Sequence, residues 1–254
     1  MFQSWRVGRW LGIDVFVHPT FWLLPLFVYF AASPGSDVTG ELLVLFAAFG
    51  CVVLHEYGHA VAGRAFGVGT RDITLYPLGG VATLDRIPEK PVAELVIALA
   101  GPAVNVIIGL GLAAGLLLDP GVLPRGFVER LFLVNVVLVL FNLLPAFPMD
   151  GGRVLRALLA APLGRLRATE VAVGIGSVVA LLIGVVGVWQ FHSFTLPAVA
   201  TMAYLMGQRE LAAVRQEAAA RRRGPRGYTG YERDPRTGDT IEWLNGRVVR
   251  VWRA

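Results

Sequence analysis

His55-Glu56-Tyr57-Gly58-His59 sets two imidazoles four residues apart, with a carboxylate directly after the first. On a helix, residues four apart stack on one face, so both rings can converge on one ion. Glu56 lies about 100° round the helix from His55, which leaves it free to handle a proton on a water held at that ion. The chemistry this suggests is metal-activated hydrolysis: a bound water loses its proton near neutral pH, and the carboxylate takes that proton and later returns it to a leaving group. The setting is unusual, because the motif sits inside an apolar stretch from about Leu42 to Ala62. Ionisable groups at membrane depth are costly and are kept mostly for function, which favours metal binding over two histidines that merely bond neighbouring helices.

A catalytic zinc takes three protein ligands and keeps one position open. His18, His192 and Asp150 are candidates for the third ligand. Asp150 belongs to Asn142-Leu143-Leu144-Pro145-Ala146-Phe147-Pro148-Met149-Asp150-Gly151-Gly152. Two prolines so close cannot both sit in a regular helix without freeing carbonyls, so an unwound stretch facing protein or a water-filled cavity is expected there. Asp150 stands shortly before Arg153, as His59 stands shortly before Arg64, so the two segments agree in depth. The plainer role for Asp150 is to cap the helix that follows. Cys51, the single cysteine, excludes an intrachain disulfide and a four-cysteine zinc site, and reads as a small packing residue. Tyr57 and Gly58 also read as packing residues, Gly58 permitting close approach of another helix.

The elements that position these residues belong to a membrane protein. Of the 254 residues 55% are hydrophobic and 16% charged, and the mean hydropathy is +0.61, too apolar for an ordinary soluble domain. Apolar runs occur at about 18–32, 41–63, 92–118, 128–147, 170–190 and 194–208, against roughly 20 residues per span. This predicts an all-α polytopic protein of about six transmembrane helices, the first and last short. The first run is read as a retained span, not a cleaved leader. Arg6 and Arg9, then Arg64, Arg71, Arg86 and Lys90, then Arg153, Arg156, Arg165 and Arg167 fall in alternate connections, and eleven more arginines follow Met206. That alternation puts both termini in the cytoplasm of a cell-membrane protein. His59 and His55 then lie roughly 7–14 Å from the cytoplasmic end of their span. The net charge of +5 suits anionic headgroups; no basic stripe with interleaved aromatics marks a nucleic-acid partner.

Ile73–Tyr76 and Val81–Leu84 read as short strands around Pro77-Leu78-Gly79-Gly80, with a third strand in Arg6–Val17, which makes a small sheet at the membrane edge. Residues 1–207 form the membrane-embedded unit, with core spans at about 41–63, 92–118 and 128–147. Residues 208–254 form a short, basic cytoplasmic appendage with a helix over Gln208–Arg223 and a hairpin, Thr240–Leu244 and Arg247–Trp252, turned at Asn245-Gly246.

These motifs together resemble the site-2 proteases, the intramembrane zinc metalloproteases of peptidase family M50, here in a compact form without PDZ or CBS domains. The resemblance covers roughly residues 5–160 and rests on three motifs in the family's order: His55-Glu56-x-x-His59, Gly101-Pro102-Ala103-Val104-Asn105, and Asn142-x-x-Pro145 with Asp150-Gly151. It implies zinc held by His55, His59 and Asp150, with Glu56 as catalytic base. It also implies substrate contacts at Asn142, at Gly79 and Gly80 in a loop that receives substrate as an added strand, and at Asn105, whose plainer role is packing. The implied reaction is hydrolysis of a peptide bond within or near a transmembrane segment of a membrane-anchored substrate. The lipid bilayer and a regulatory membrane protein would be further partners. Two other classes remain: a silent relative that binds membrane helices, against which the complete set of ligands and base speaks, and a divalent-metal transporter, against which the almost wholly apolar outer halves of the spans speak.

Overall fold

A computed structural model describes residues 4–33, 35–77, 79–85, 90–118, 121–190, 192, 195–223, 230–245 and 247–253. The amino end is a hairpin, β1 (Trp5–Trp10) and β2 (Ile13–Val17), reversed at Leu11 and Gly12, both at positive φ. The single strand expected over Arg6–Val17 is therefore two. A 3-10 turn at Pro19–Trp22 and the nine-residue helix α1 (Leu23–Ala31) lead to helix α2 (Val38–Ala65), which carries the paired histidines. Strands β3 (Thr70–Tyr76) and β4 (Gly79–Leu84) follow, then α3 (Pro91–Leu118), α4 (Arg125–Asn142), α5 (Asp150–Leu163), α6 (Arg165–Trp189) and α7 (Thr195–Arg223). Three strands end the chain: β5 (Gly230–Arg233), β6 (Thr240–Leu244) and β7 (Arg247–Trp252). The last two match the expected hairpin; of its turn, Asn245 has φ 52°, and Gly246 lies outside the described residues, as do Leu78 and Arg86.

Helix α2 is defined at both ends by local chemistry. The Asp37 carboxylate accepts from the Gly40 amide at 2.9 Å, Glu41 stands in the first turn and Arg64 in the last, complementing the helix dipole. Gly67, at φ 69°, takes the chain out of the helix, where a side chain would be strained. Its 28 residues span about 42 Å, more than the roughly 30 Å of hydrocarbon in a bilayer. By length and composition, three helices among the described residues can cross a membrane: α2, α3 and α6. Helix α4 has 18 residues with Arg125, Glu129 and Arg130 in its first two turns, and α1 is too short, so length and apolarity alone establish fewer than the six spans expected. Helix α7 passes unbroken through position 207, joining what the sequence reads as a last span and a separate basic helix.

The first sheet has the order β1-β2-β3-β4, with β2 and β3 parallel and the other pairs antiparallel. Alternate residues of β2 are buried, and Ile13, Val15 and Ile73 pack with Ala60 of α2, while Val17 and Leu75 pack with Phe21 against Phe49, Val52 and Val53. The period-2 pattern of the strands thus meets one stripe of α2. A different stripe, Cys51, His55, His59 and Gly63, is buried towards the bundle. Strand β4 lies at the end of the sheet, so its outer edge has no strand partner among the described residues.

On the bundle side, a Cβ at Gly58 would sit 2.6 Å from the Ala100 carbonyl oxygen, so only glycine lets α2 and α3 approach this closely. Between α4 and α5 the chain is irregular, as the two prolines predict, and it lies directly on α5: a Cβ at Gly151 would strike the carbonyls of Leu143 and Leu144, and one at Gly152 would sit 2.8 Å from the Ala146 carbonyl carbon. One turn beyond this contact Arg156 is 2% exposed, its guanidinium 5.1 Å from the Phe147 ring centroid and paired with Glu94 of α3 and Glu210 of α7. The sequence counts Arg156 among basic loop residues, but the structure makes it an internal anchor. Burial works to lower its pKa and the two carboxylates outweigh it, so the group stays charged with its pKa above the ordinary value. Replacing it, as in Arg156→Met, leaves Glu94 buried and uncompensated and should cost about 3–5 kcal/mol. Thermal unfolding in detergent checks this; an unchanged midpoint would show that the triad contributes nothing to stability.

Candidate metal centre

Helix α2 presents His55 and His59 on the stripe facing α3, and the first residue of α5, Asp150, meets them. His55 Nε2 and His59 Nε2 lie 3.1 Å apart, and Asp150 Oδ2 lies 3.1 Å from the first and 3.2 Å from the second. All three residues are buried, and among the described residues they are the one group of three or more His, Cys, Asp or Glu side chains arranged to hold a metal. Of the three candidates for the third ligand, Asp150 is the one brought to the pair. His18 instead caps the 3-10 turn, its Nδ1 2.7 Å from Thr20 Oγ1 and its ring stacked on Tyr76 at 4.9 Å. His192 is not part of the cluster.

The other ring nitrogens decide what those three atoms carry. His59 Nδ1 lies 2.7 Å from the Ile97 carbonyl oxygen, which can only accept, so Nδ1 carries a proton and the neutral ring keeps its lone pair on Nε2. His55 Nδ1 lies 2.5 Å from Asn105 Oδ1, while Asn105 Nδ2 donates to Asn135 Oδ1 at 2.9 Å, which gives His55 the same tautomer. With both rings neutral, two imidazole lone pairs and a carboxylate oxygen converge on one point. Such a set repels itself unless a cation sits among the atoms. Tetrahedral zinc with bonds of about 2.0–2.2 Å would hold its ligand atoms about 3.3–3.6 Å apart, close to the spacing here.

Gly101 of α3 supplies the space. A Cβ there would lie 2.7 Å from His55 Nε2 and closer still to His59 Nε2, so a side chain would occupy the point on which the ligands converge. Pro102 follows inside the helix and has no amide proton for the Ala98 carbonyl; the carbonyl one residue earlier, that of Ile97, receives His59. Asn105, one turn beyond Gly101, faces His55. Gly-Pro-x-x-Asn is thus a wall of the site. Asn105 is 0% exposed with both amide atoms engaged by protein, so the structure puts it behind a ligand and not on a surface that a substrate meets. Asn135 was not singled out in the sequence; a polar residue in the apolar run of α4 was the available signal.

The remaining residues lie on the sheet side. Glu56 is half-buried, and a Cβ at Gly80 would sit 2.8 Å from its Cγ and 3.2 Å from its Oε1, so β4 crosses directly over the carboxylate. Gly79 has φ 139°, which a side chain rarely adopts. Asn142, half-buried in the last turn of α4, donates from Nδ2 to the Leu138 carbonyl at 3.0 Å.

The sequence profile of Peptidase family M50 matches residues 43–125 and 122–185. The chain belongs to this family. It is 38% identical over 183 residues to a zinc metalloprotease of Methanocaldococcus jannaschii, covering 72% of this chain and 53% of that protein. It is 29% identical over 152 residues to the stage IV sporulation protein FB of Bacillus subtilis, covering 59% of this chain and 49% of that one. The chain thus spans about half the length of these curated relatives. Among solved structures it resembles the site-2 protease from Methanocaldococcus jannaschii, with TM-score 0.61 and 34% identity over 82% of this chain and 95% of that one.

Filling the cradle tests the centre directly. Gly101→Ala places a methyl where the ligands converge, so the two rings must shift off their common point. Zinc per protein, measured by atomic emission after purification, should fall from near one to near zero; retention of stoichiometric zinc would show that the ion is held elsewhere.

Proposed function

We propose that the chain is an intramembrane zinc endopeptidase that cleaves a membrane-anchored protein within or near a transmembrane segment. The observation that carries this reading is the convergence of His55 Nε2, His59 Nε2 and Asp150 Oδ2 within 3.2 Å of one another, with Glu56 on the adjacent face of the same helix. When bound, zinc supplies the Lewis acidity that lowers the pKa of a water towards 7 and polarises a carbonyl. Glu56 takes a proton from the attacking water and delivers it to the leaving amine. His55 and His59 hold their lone pairs in place through fixed Nδ1 hydrogen bonds, and Asp150 contributes the anionic ligand.

The substrate must arrive unwound, because a helix hides its amides in its own hydrogen bonds. The outer edge of β4, which runs over Glu56, offers backbone groups to an extended segment, and Gly79 and Gly80 keep that edge clear of side chains. Asn142 is the amide that steadies the peptide near the metal. Asn105 acts through His55 and not on substrate. The apolar helices and the alternating basic residues support a multi-pass protein of the cell membrane. On that reading α1, α4 and the apolar half of α7 complete six spans, both termini are cytoplasmic and the cut falls near the cytoplasmic face. Residues 1–207 form the protease unit and 208–254 an appendage, with a regulatory membrane protein as a further partner.

Two substitutions separate chemistry from binding. In proteoliposomes containing tagged single-span test proteins, Glu56→Gln should lower the cleavage rate by about 10²–10⁴ while zinc content stays at the wild-type level. Cleavage at the wild-type rate would exclude Glu56 as the base. In the same assay Gly80→Val, which crowds Glu56 and the β4 edge, should abolish cleavage without loss of zinc; a fully active variant would rule out strand addition at that edge.

A further inference from the structure

The hydrogen bonds behind His55 form a chain whose direction is set at its far end. Asn135 of α4 is 1% exposed, and its Nδ2 donates to the Leu131 carbonyl one turn back at 2.9 Å and approaches Cys51 Sγ at 3.4 Å. A backbone carbonyl cannot donate, so Asn135 must turn Nδ2 towards Leu131 and Oδ1 towards Asn105. Asn105 must then give Nδ2 to Asn135 and Oδ1 to His55, and His55 must donate from Nδ1. If both amides flipped together, Asn105 would offer Nδ2 to His55 Nδ1 and move the proton to Nε2, where it would block a ligand position. That flip also sets Asn135 Oδ1 against the Leu131 oxygen at hydrogen-bond distance, two acceptors facing each other. The full sequence is Leu131 carbonyl, Asn135, Asn105, His55, and it crosses three helices.

We propose that Asn135 is a positioning residue that locks the Nδ1-protonated tautomer of His55 through Asn105 and thereby sets the metal affinity of the site. This rests on the metal reading above. The partners of Asn135 are Asn105, Cys51 and the Leu131 carbonyl, none of them a ligand atom. Its contribution is directional, because the polarity of an asparagine–asparagine pair is otherwise degenerate: each amide can present either end. A carboxylate in place of Asn105 would accept from His55 whatever its neighbour does, as in the carboxylate–histidine–metal arrangement.

That difference makes the test. Zinc affinity is read by chelator competition on the full-length protein in detergent, and the ligand field by the visible d–d bands of the cobalt(II) form. Asn135→Leu should weaken zinc binding by about 10–100-fold. The double variant Asn135→Leu, Asn105→Asp should regain most of that loss and restore the cobalt spectrum, since the acceptor at His55 Nδ1 no longer depends on the lock. Asn135→Ala serves the same comparison should leucine disturb the packing of α4. Wild-type affinity in the Asn135 variants, or a double variant as weak as the single one, overturns the proposal and leaves Asn135 as helix packing. A wild-type chain that binds no zinc under these conditions overturns the metal reading itself, and the relay with it.

Discussion

Two imidazoles on successive turns of one helix hold an ion only when both present an unprotonated nitrogen to the same point. Everything around the site follows from meeting that condition in an apolar setting. Each ring needs an acceptor for its Nδ1 proton. Helix α3 provides both acceptors, the Ile97 carbonyl for His59 and the Asn105 amide oxygen for His55. It also provides the gap at Gly101 in which the lone pairs meet. A single helix packed against α2 thus orients both histidines, and its Gly-Pro-x-x-Asn pattern is the sequence record of two of these demands: space at Gly101 and a side-chain acceptor at Asn105.

The ligand set is closed by Asp150, the first residue of α5. The irregular segment after α4 lies on the two glycines that follow Asp150, where any side chain would push it away. Arg156 ties the same helix to α3 and α7 through Glu94 and Glu210 and covers the Phe147 ring. The bundle side of α2 is therefore closed by mutually dependent contacts. The sheet side is different: β2 and β3 pack on α2, but β4 ends the sheet above Glu56, its outer edge without a strand partner among the described residues. The three converging ligand atoms lie on the bundle side, and Glu56 lies under the sheet.

Much of this was legible in the sequence, because the signals involved are local. The four-residue spacing of His55 and His59 needs only a helix to become a shared face, and the two prolines before Asp150 forbid a regular helix whatever surrounds them. The hairpin strands Thr240–Leu244 and Arg247–Trp252 follow from alternation around a turn dipeptide. The reversal at Leu11-Gly12 was missed because leucine carries no turn signal, and Arg156 was misread because a guanidinium's burial depends on carboxylates 62 and 54 residues away in the chain.

The sequence by itself determined which groups could bind a metal and which carboxylate could move a proton, since donor chemistry and helical spacing are properties of residue type and order. Residue chemistry left His18, His192 and Asp150 open as third ligand and the motif resemblance pointed to Asp150; tertiary structure brings Asp150 to the histidine pair and sets Asn105 against His55. It also decided which nitrogen of each ring carries the proton. Those outcomes depend on which helix packs on which, and a hydrogen-bond direction fixed at the Leu131 carbonyl reaches His55 only after α2, α3 and α4 have come together.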